Sequence, residues 1–153
     1  MSQGRLFQSI SIVSVKLIKE KDVHYGTTTI RNPGELASVA RKFLDNTDRE
    51  VFLTIHFSSV NTINSIHVVS VGSLDRTVVH AREVFKAAIL SNSSTIALVH
   101  NHPSGTLIPS EEDILITKKL VQCGEILDIK VVDHIIVADD QYLSFAERKI
   151  GGL

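Results

Sequence analysis

Residues 1–153 are 43% hydrophobic and 22% charged, a composition that predicts one soluble globular domain and excludes an intrinsically disordered protein. The 16 basic and 17 acidic side chains leave a formal net charge of -1, so charge gives no reason to expect a nucleic acid or an anionic membrane as a partner.

Cysteine content and hydropathy bear on the compartment. The single cysteine, Cys123, cannot form an internal disulfide, which fits a reducing environment. Serine and lysine interrupt the apolar residues of positions 1–21, so we expect no signal peptide, and the longest apolar runs are too short to span a membrane. These features predict a cytoplasmic protein without a membrane partner.

The first predicted element is a half-buried strand over residues 9–17, where serine or lysine alternates with isoleucine, valine or leucine. A polar loop follows, and residues 32–46 then fit a helix that has Asn32 as its N-cap and an apolar stripe along one side. We therefore expect a strand-and-loop extension over residues 1–31 and a folded core over residues 32–153.

Strands and helices alternate through the predicted core. Residues 51–57 are nearly all apolar, which is typical of a strand buried on both faces. This alternation predicts an α/β fold, with a mixed central β-sheet flanked by helices. Further strands are predicted at 64–72, 94–100, 128–139 and 142–145, and further helices at 80–92 and 110–127.

The segment HNHPSGTLIPSEED, residues 100–113, carries the residues best suited to chemistry. Side chains two apart on an extended chain point the same way, so His100 and His102 can converge just beyond a strand end, with the intervening asparagine turned aside. Imidazole suits zinc, and catalytic zinc sites have three protein ligands and a water. A Pro-Ser-Gly turn can bring the following helix close, so Asp113 would supply an oxygen ligand and Ser110 would stand beside the open position.

The same helix start also fits a purely structural interpretation. The residues Ser110-Glu111-Glu112-Asp113 form a capping-box pattern, in which the first and last side chains satisfy backbone N–H groups of the first turn. The two glutamates between them favour the positive end of the helix dipole. A lone His-x-His pair is also common without a metal, so these residues alone leave capping and metal binding open.

Together, the H-x-H-x7-S-x-x-D pattern of residues 100–113 resembles the metal motif of the JAMM (MPN-domain) metalloproteases. The letters HNHPSG, PSEED, Thr117 and DHIIV resemble the RadC family, the bacterial branch of that fold. VHAREVFKAAI resembles it too, although that family would carry proline where this chain has Ala81. The resemblance covers residues 32–147 and implies the MPN/JAMM three-layer sandwich, a cytidine-deaminase-like architecture.

The resemblance also implies a set of site residues. It implies one Zn²⁺ per chain, held by His100, His102 and Asp113, with a zinc-activated water attacking an amide bond. The family's upstream glutamate matches Glu50, which would act as general base and then general acid. Ser110 would donate a hydrogen bond to the oxyanion. Without the resemblance, Glu50 also fits a solvated turn residue that precedes a strand.

The implied function is a zinc-dependent hydrolase of the JAMM/RadC type, a metallopeptidase or isopeptidase with a peptide or protein substrate. One alternative is a DNA-repair or DNA-processing accessory protein, which the RadC name suggests. Longer members of that family carry a helix-hairpin-helix region ahead of this domain, whereas this chain is expected to begin with a strand, and its charge is near neutral. Direct nucleic-acid binding is therefore not expected. The other alternative is a non-catalytic MPN scaffold, which the complete motif argues against.

The remaining histidines and the cysteine are predicted to be structural. His56 lies in a buried strand and is interpreted as a hydrogen-bonded core histidine, while Asp133 and His134 are expected to fix a turn. Cys123 is expected to be a small core residue. The other histidines with no metal-ligand spacing are His24, His67 and His80.

Overall fold

The computed structural model describes residues 10–24, 26, 28–44, 47–72 and 79–153. These residues form four helices and five strands. In chain order they are α1 (Pro33–Leu44), β1 (Val51–Phe57), β2 (Ile63–Val71), α2 (Ala81–Leu90), β3 (Thr95–Asn101), α3 (Glu111–Ile126), β4 (Lys130–Ala138), β5 (Gln141–Ser144) and α4 (Phe145–Arg148).

The five strands form one mixed sheet in the order β2-β1-β3-β4-β5. Strand β1 runs antiparallel to β2 and β3, β4 runs parallel to β3, and β5 is antiparallel to β4. The parallel pair is joined through α3, as a crossover connection requires. In this arrangement Phe52, near the start of β1, pairs with His100 near the end of β3. The start of β1 and the end of β3 therefore lie at the same edge of the sheet.

Helices cover both faces of the sheet and pack through two hydrophobic clusters. On one face α1 contacts the sheet, for example with Leu36 and Ala40 in one cluster with Leu53. On the other face α2 and α3 contribute Val84 and Leu120 to the second cluster. All seven residues of β1 are buried, as expected for a strand covered on both sides. The predicted α/β fold with a mixed sheet flanked by helices is confirmed.

Element boundaries in the core agree with the sequence predictions to within two residues. Asn32 caps α1 as expected, because its Oδ1 accepts a hydrogen bond of 2.9 Å from the backbone N–H of Glu35. Ala81 is the first residue of α2, a position where a missing N–H is tolerated, so proline and alanine both fit there. Positions 45 and 46 of the first predicted helix lie outside the described residues.

The predicted strand over residues 9–17 is wrong for the part that is described. Residues 10–17 form no strand, and the side chains of Ile10 and Ile12 are 96% and 101% exposed. The alternating pattern provides an apolar face, but a strand also needs a neighbouring backbone for its hydrogen bonds. Within the described N-terminal segment, pairing with the sheet starts only at the bridge between Thr29 and Thr62. Residue 9 lies outside the described part.

Helix α4 was not predicted, because residues 142–145 were assigned to a strand. The strand ends one residue earlier, where the Ser144 side chain accepts a hydrogen bond of 3.1 Å from the backbone N–H of Glu147 and caps α4. A four-residue helix is too short to show helical periodicity in a sequence. No helix among the described residues has the length and apolar character that crossing a membrane requires.

Candidate metal centre

Three side chains meet at the edge of the sheet where β3 ends and α3 begins. His100 is the penultimate residue of β3, His102 follows that strand, and Asp113 is the third residue of α3. The two Nε2 atoms are 3.0 Å apart. Asp113 Oδ1 lies 3.3 Å from Nε2 of His100, and Oδ2 lies 3.5 Å from Nε2 of His102. The fold thus brings together a His-His-Asp group that could hold a metal ion.

The spacing of these atoms can be compared with zinc coordination. Zinc binds nitrogen and oxygen ligands at about 2.0–2.2 Å in a tetrahedron, so neighbouring ligand atoms lie about 3.3–3.5 Å apart. The two Nε2 atoms, 3.0 Å apart, are slightly closer than this edge, and they approach different oxygens of Asp113, Oδ1 at 3.3 Å and Oδ2 at 3.5 Å. With one ligand atom taken from each residue, the three atoms lie within 4.8 Å of one another. Two imidazole nitrogens and one carboxylate oxygen are also ligands that zinc accepts, so the residues present fit the ion.

The charges of the group suit a cation. Burial alone would raise the pKa of Asp113, but its contacts with the imidazoles of His100 and His102 outweigh burial and hold that pKa well below its usual range. The neighbouring Asp113 carboxylate raises the pKa of His102, against the opposing effect of burial. The centre therefore keeps an ionised carboxylate beside imidazole nitrogens.

Asp113 also closes the predicted capping box. Its Oδ2 accepts a hydrogen bond of 2.7 Å from the backbone N–H of Ser110, and its own N–H donates to Ser110 Oγ at 3.0 Å. Oδ1 meanwhile faces His100. The two interpretations that the sequence left open are therefore compatible, because one carboxylate has two oxygens, and the cap holds the carboxylate in its orientation.

Ser110 lies at the exposed N-cap of α3, three residues before the candidate ligand Asp113. Its Oγ accepts the hydrogen bond from Asp113 N–H, which uses a lone pair and leaves the hydroxyl proton available. Among the described residues, no hydrogen bond is donated by this hydroxyl. Ser110 can therefore still donate to a group that approaches the centre.

Glu50 immediately precedes β1, two residues before Phe52, whose ring stacks on that of His100 at a centroid distance of 5.9 Å. Its carboxylate is not a member of the His-His-Asp group. Its negative charge is nevertheless close enough to contribute to the raised pKa of His102. The fold thus places Glu50 near the centre but outside the group of three candidate ligands.

Asn101, between the two histidines, fixes the chain around Glu50. Its Oδ1 accepts a hydrogen bond of 2.7 Å from the N–H of Val51, and its Nδ2 donates to the carbonyl of Arg49 at 2.9 Å. A third bond of 3.0 Å joins Nδ2 to Thr47 Oγ1. The sequence indicated only that this side chain turns away from the histidines. In the structure its amide holds the backbone on both sides of Glu50.

His134 was predicted to help fix a turn, and this prediction is wrong. It lies inside β4, is fully buried, and its Nε2 is 2.8 Å from Nδ1 of His100. Burial, reinforced by the neighbouring His100, lowers the pKa of His134 well below its usual value. The two histidines are 34 positions apart, and only the parallel pairing of β3 with β4 brings them together, so no spacing in the sequence could reveal the contact.

Asp133 has a structural role, but it lies inside β4 and does not fix a turn as expected. Its carboxylate accepts hydrogen bonds from the Ser144 hydroxyl at 2.7 Å and from the Ala146 N–H at 3.0 Å. Burial raises the pKa of Asp133 in spite of these bonds. The side chain therefore ties β4 to the start of α4.

The other histidines lie away from the centre. His56 is fully buried in β1 and hydrogen-bonds Thr54 and Ser65, each at 2.8 Å, as predicted for a core histidine. Burial lowers the pKa of His56 from 6.5 to about 4, with a smaller contribution from His67. Cys123 packs against the cluster beneath α2 and α3, as expected. Within the described residues, neither His56 nor the exposed or half-buried His24, His67 and His80 belongs to a metal-binding group.

A polar cavity of about 200 Å³ adjoins the centre beside His102. Arg41 and Asp139 line it, and Arg41 Nε donates a hydrogen bond of 3.3 Å to the carbonyl of Asp139. Arg41 Nη2 is buried there without a hydrogen-bond partner in the described structure. The cavity offers space and a donor for a polar group next to His102.

Comparison with known proteins adds the following. A family model described as a RadC-like JAB domain matches residues 30–150. A UPF0758 protein of Moorella thermoacetica is 44% identical over 123 residues, which cover 80% of this chain and 54% of the relative. UPF0758 proteins of Desulfitobacterium hafniense and Methanosarcina mazei are 45% identical over 121 residues and 41% identical over 119, covering 79% and 78% of this chain and 53% and 52% of the relatives. The chain spans about half the length of these relatives, and the name UPF0758 protein states no activity.

Proposed function

The chain belongs to the RadC-like JAB domain family, and from this premise we propose that it is a zinc-dependent hydrolase that cleaves a peptide or isopeptide bond. The observation that carries the proposal is the convergence of His100, His102 and Asp113, whose ligand atoms all lie within 4.8 Å of one another. These three residues would hold one Zn²⁺ per chain. Family membership alone is compatible with a hydrolase and does not identify the reaction.

The ion and the residues around it would have separate tasks. When bound, zinc lowers the pKa of a water molecule toward about 7 and polarises a carbonyl group. Glu50 is proposed to take the proton from the attacking water and to deliver it to the leaving nitrogen as the C–N bond breaks. Its position near His102 and outside the ligand group supports this role.

Ser110 is proposed to stabilise the negative charge that develops on the carbonyl oxygen. Its hydroxyl proton is not used in the capping box, so it can be donated to that oxygen. The N-terminus of α3 adds positive potential at the same place, because the N–H groups of the first turn point toward it. The polar cavity lined by Arg41 could receive a polar group of the substrate.

The DNA-processing and scaffold alternatives lack a comparable observation. A net charge of -1 gives no excess of cations to displace counterions from a duplex. The expectation of an initial strand no longer contributes, because residues 10–17 do not form one. A scaffold would not need the His-His-Asp group, the capping box that orients Asp113 and the nearby Glu50 together.

The reaction can be tested by screening zinc-loaded protein against fluorogenic peptides and isopeptide-linked conjugates. Glu50→Gln is the matched control, because it keeps the size of the side chain and removes the base. We expect cleavage by the wild-type protein, loss of cleavage in Glu50→Gln at equal zinc content, and no loss in Glu112→Gln, which neutralises an exposed glutamate of the same region. Equal cleavage by wild type and Glu50→Gln would contradict the proposed mechanism.

A further inference from the structure

A buried chain of hydrogen bonds connects the candidate ligand His100 to the helix that carries Asp113. The Thr117 hydroxyl donates to the backbone carbonyl of Asp113 at 2.6 Å. Thr117 Oγ1 is also 2.6 Å from Nδ1 of His134, and Nε2 of His134 is 2.8 Å from Nδ1 of His100. Thr117, His134 and His100 are all fully buried.

Thr117 determines which atom is the donor in each hydrogen bond of this network. A threonine hydroxyl has one proton, and the Asp113 carbonyl receives it, so Thr117 can only accept from His134. Nδ1 of His134 must then carry a proton. A neutral imidazole has one N–H, and a fully buried ring without a hydrogen-bonded carboxylate is neutral, so Nε2 of His134 is an acceptor. His100 therefore donates from Nδ1.

The consequence is that Nε2 of His100 has no proton and turns a lone pair toward Asp113 and His102. His102 reaches the same tautomer by a different route, because its Nδ1 lies 2.8 Å from the carbonyl of Thr106, which can only accept. Two Nε2 atoms that both expose lone pairs lie 3.0 Å apart. Such an arrangement is repulsive unless a cation or a proton lies between the two nitrogens.

We propose that Thr117 and His134 are positioning residues that fix the tautomer of His100, so that Nε2 is the nitrogen presented to the metal. The inference deepens the proposed zinc site and rests on it for its function. Metal-binding histidines commonly donate their second N–H to a fixed acceptor, which orients the ring and raises its basicity. Here the acceptor is a second histidine instead of a carboxylate or a carbonyl.

The rotamer of Thr117 is itself held by tight packing. Gly151 approaches it so closely that a Cβ at position 151 would lie 2.8 Å from Thr117 Cγ2. The threonine methyl group is thus confined, and its hydroxyl remains directed along the helix toward Asp113. One hydrogen-bond network therefore joins the candidate ligands His100 and Asp113 through Thr117 and His134, which lie outside the ligand group.

The test uses Thr117→Val, which keeps the shape of the side chain and removes the hydroxyl. Without that acceptor, His134 can adopt the other tautomer and force a proton onto Nε2 of His100. Loss of such outer contacts lowers metal affinity by roughly 10- to 100-fold. We expect a loss of this size in zinc affinity, measured by competition with a chromophoric chelator, and near wild-type affinity in Thr117→Ser. Thr54→Val, which removes another fully buried hydroxyl away from the centre, should leave zinc affinity unchanged.

A second measurement uses the metal-free wild-type protein and is independent of variant folding. Ring ¹⁵N chemical shifts identify which nitrogen of His100 carries the proton, and we expect Nδ1. An Nδ1 of His100 without a proton, or wild-type zinc affinity in Thr117→Val, would overturn the proposal. If the wild-type protein binds no zinc, the proposed function fails, while the tautomer of His100 still decides whether Thr117 and His134 have the inferred effect.

Discussion

At the scale of single residues, Asp113 shows how one side chain serves two purposes. One carboxylate oxygen closes the capping box with Ser110, while the other faces His100. The sequence offered these as competing interpretations, because the S-x-x-D pattern and the metal motif share the same letters. In the structure, the oxygen that closes the box also lies 3.5 Å from Nε2 of His102, so the cap and the candidate centre share this carboxylate.

Both functions of Asp113 should be lost in Asp113→Ala. We expect the free energy of unfolding of the metal-free protein to fall by about 1 kcal/mol, the usual effect of losing a helix cap. We also expect loss of zinc binding. Urea denaturation and equilibrium dialysis measure the two effects. Asp113→Asn retains an oxygen that can accept from Ser110 N–H, so it should lose zinc with a smaller change in stability. Unchanged zinc binding in either variant would leave the residue with its capping role alone.

His56 makes stability depend on pH. Its pKa is lowered from 6.5 to about 4 by burial. Between these values the unfolded chain binds more protons than the folded one, so the free energy of unfolding falls as the pH falls. From pH 7 to pH 5 this histidine should account for a decrease of about 2 kcal/mol.

The contribution of His56 can be isolated with His56→Gln, which keeps a polar side chain for Thr54 and Ser65 but cannot titrate. Urea denaturation at pH 7 and pH 5 should give a decrease that is about 2 kcal/mol smaller in the variant than in wild type. The nearby His67 is retained in both proteins, so its effect cancels. An identical decrease in both proteins would show that His56 does not titrate as expected.

At the scale of elements, most of the core could be predicted from the sequence. The apolar run of β1 and the caps of α1 and α3 depend on local chemistry, and local chemistry is visible in the letters. The strand expected over 9–17 failed because strand formation depends on a partner backbone. His134 was misassigned for the same reason, since its contact with His100 depends on how β3 and β4 pair.

Asn101 provides a prediction at this scale, because it connects the end of β3 to the residues before β1. Asn101→Ala should leave the N–H of Val51 and the carbonyl of Arg49 without their partners. A buried unsatisfied group costs about 1–3 kcal/mol, and the N–H of Val51 is buried, so we expect the free energy of unfolding to fall by about 1–3 kcal/mol. Asn64→Ala, which removes an exposed bond of 3.4 Å to Ser91, is the control and should change it little. Equal stability of the two variants would contradict this role.

At the scale of the whole molecule, the mixed sheet assembles the candidate site from segments far apart in sequence. The start of β1, the end of β3 and the start of α3 meet because β1 is antiparallel to β3 and α3 crosses back to β4. Family resemblance could anticipate this meeting for the motif residues. The resemblance included Asn101, Thr117 and His134 among its letters but gave them no role, because their contacts with the ligands and the neighbouring backbone depend on how the chain folds.

The near-neutral charge leads to a prediction about nucleic acids. With 16 basic and 17 acidic side chains, we expect DNA binding by this chain to be weak and to depend on salt alone. Fluorescence anisotropy with labelled duplex and single-stranded DNA at physiological salt measures this. Tight binding with sequence or structure preference under those conditions would instead favour the DNA-processing function.

Metal stoichiometry shows whether the His-His-Asp group binds zinc. Chelator-stripped wild-type protein and Asp113→Asn would be dialysed against limiting zinc, and bound metal would be determined by elemental analysis. We predict one zinc per wild-type chain and little or none in Asp113→Asn, with a higher melting temperature for the wild-type protein when zinc is present. Absence of bound zinc in the wild-type protein, or equal amounts of zinc in both proteins, would show that the His-His-Asp group does not hold the ion.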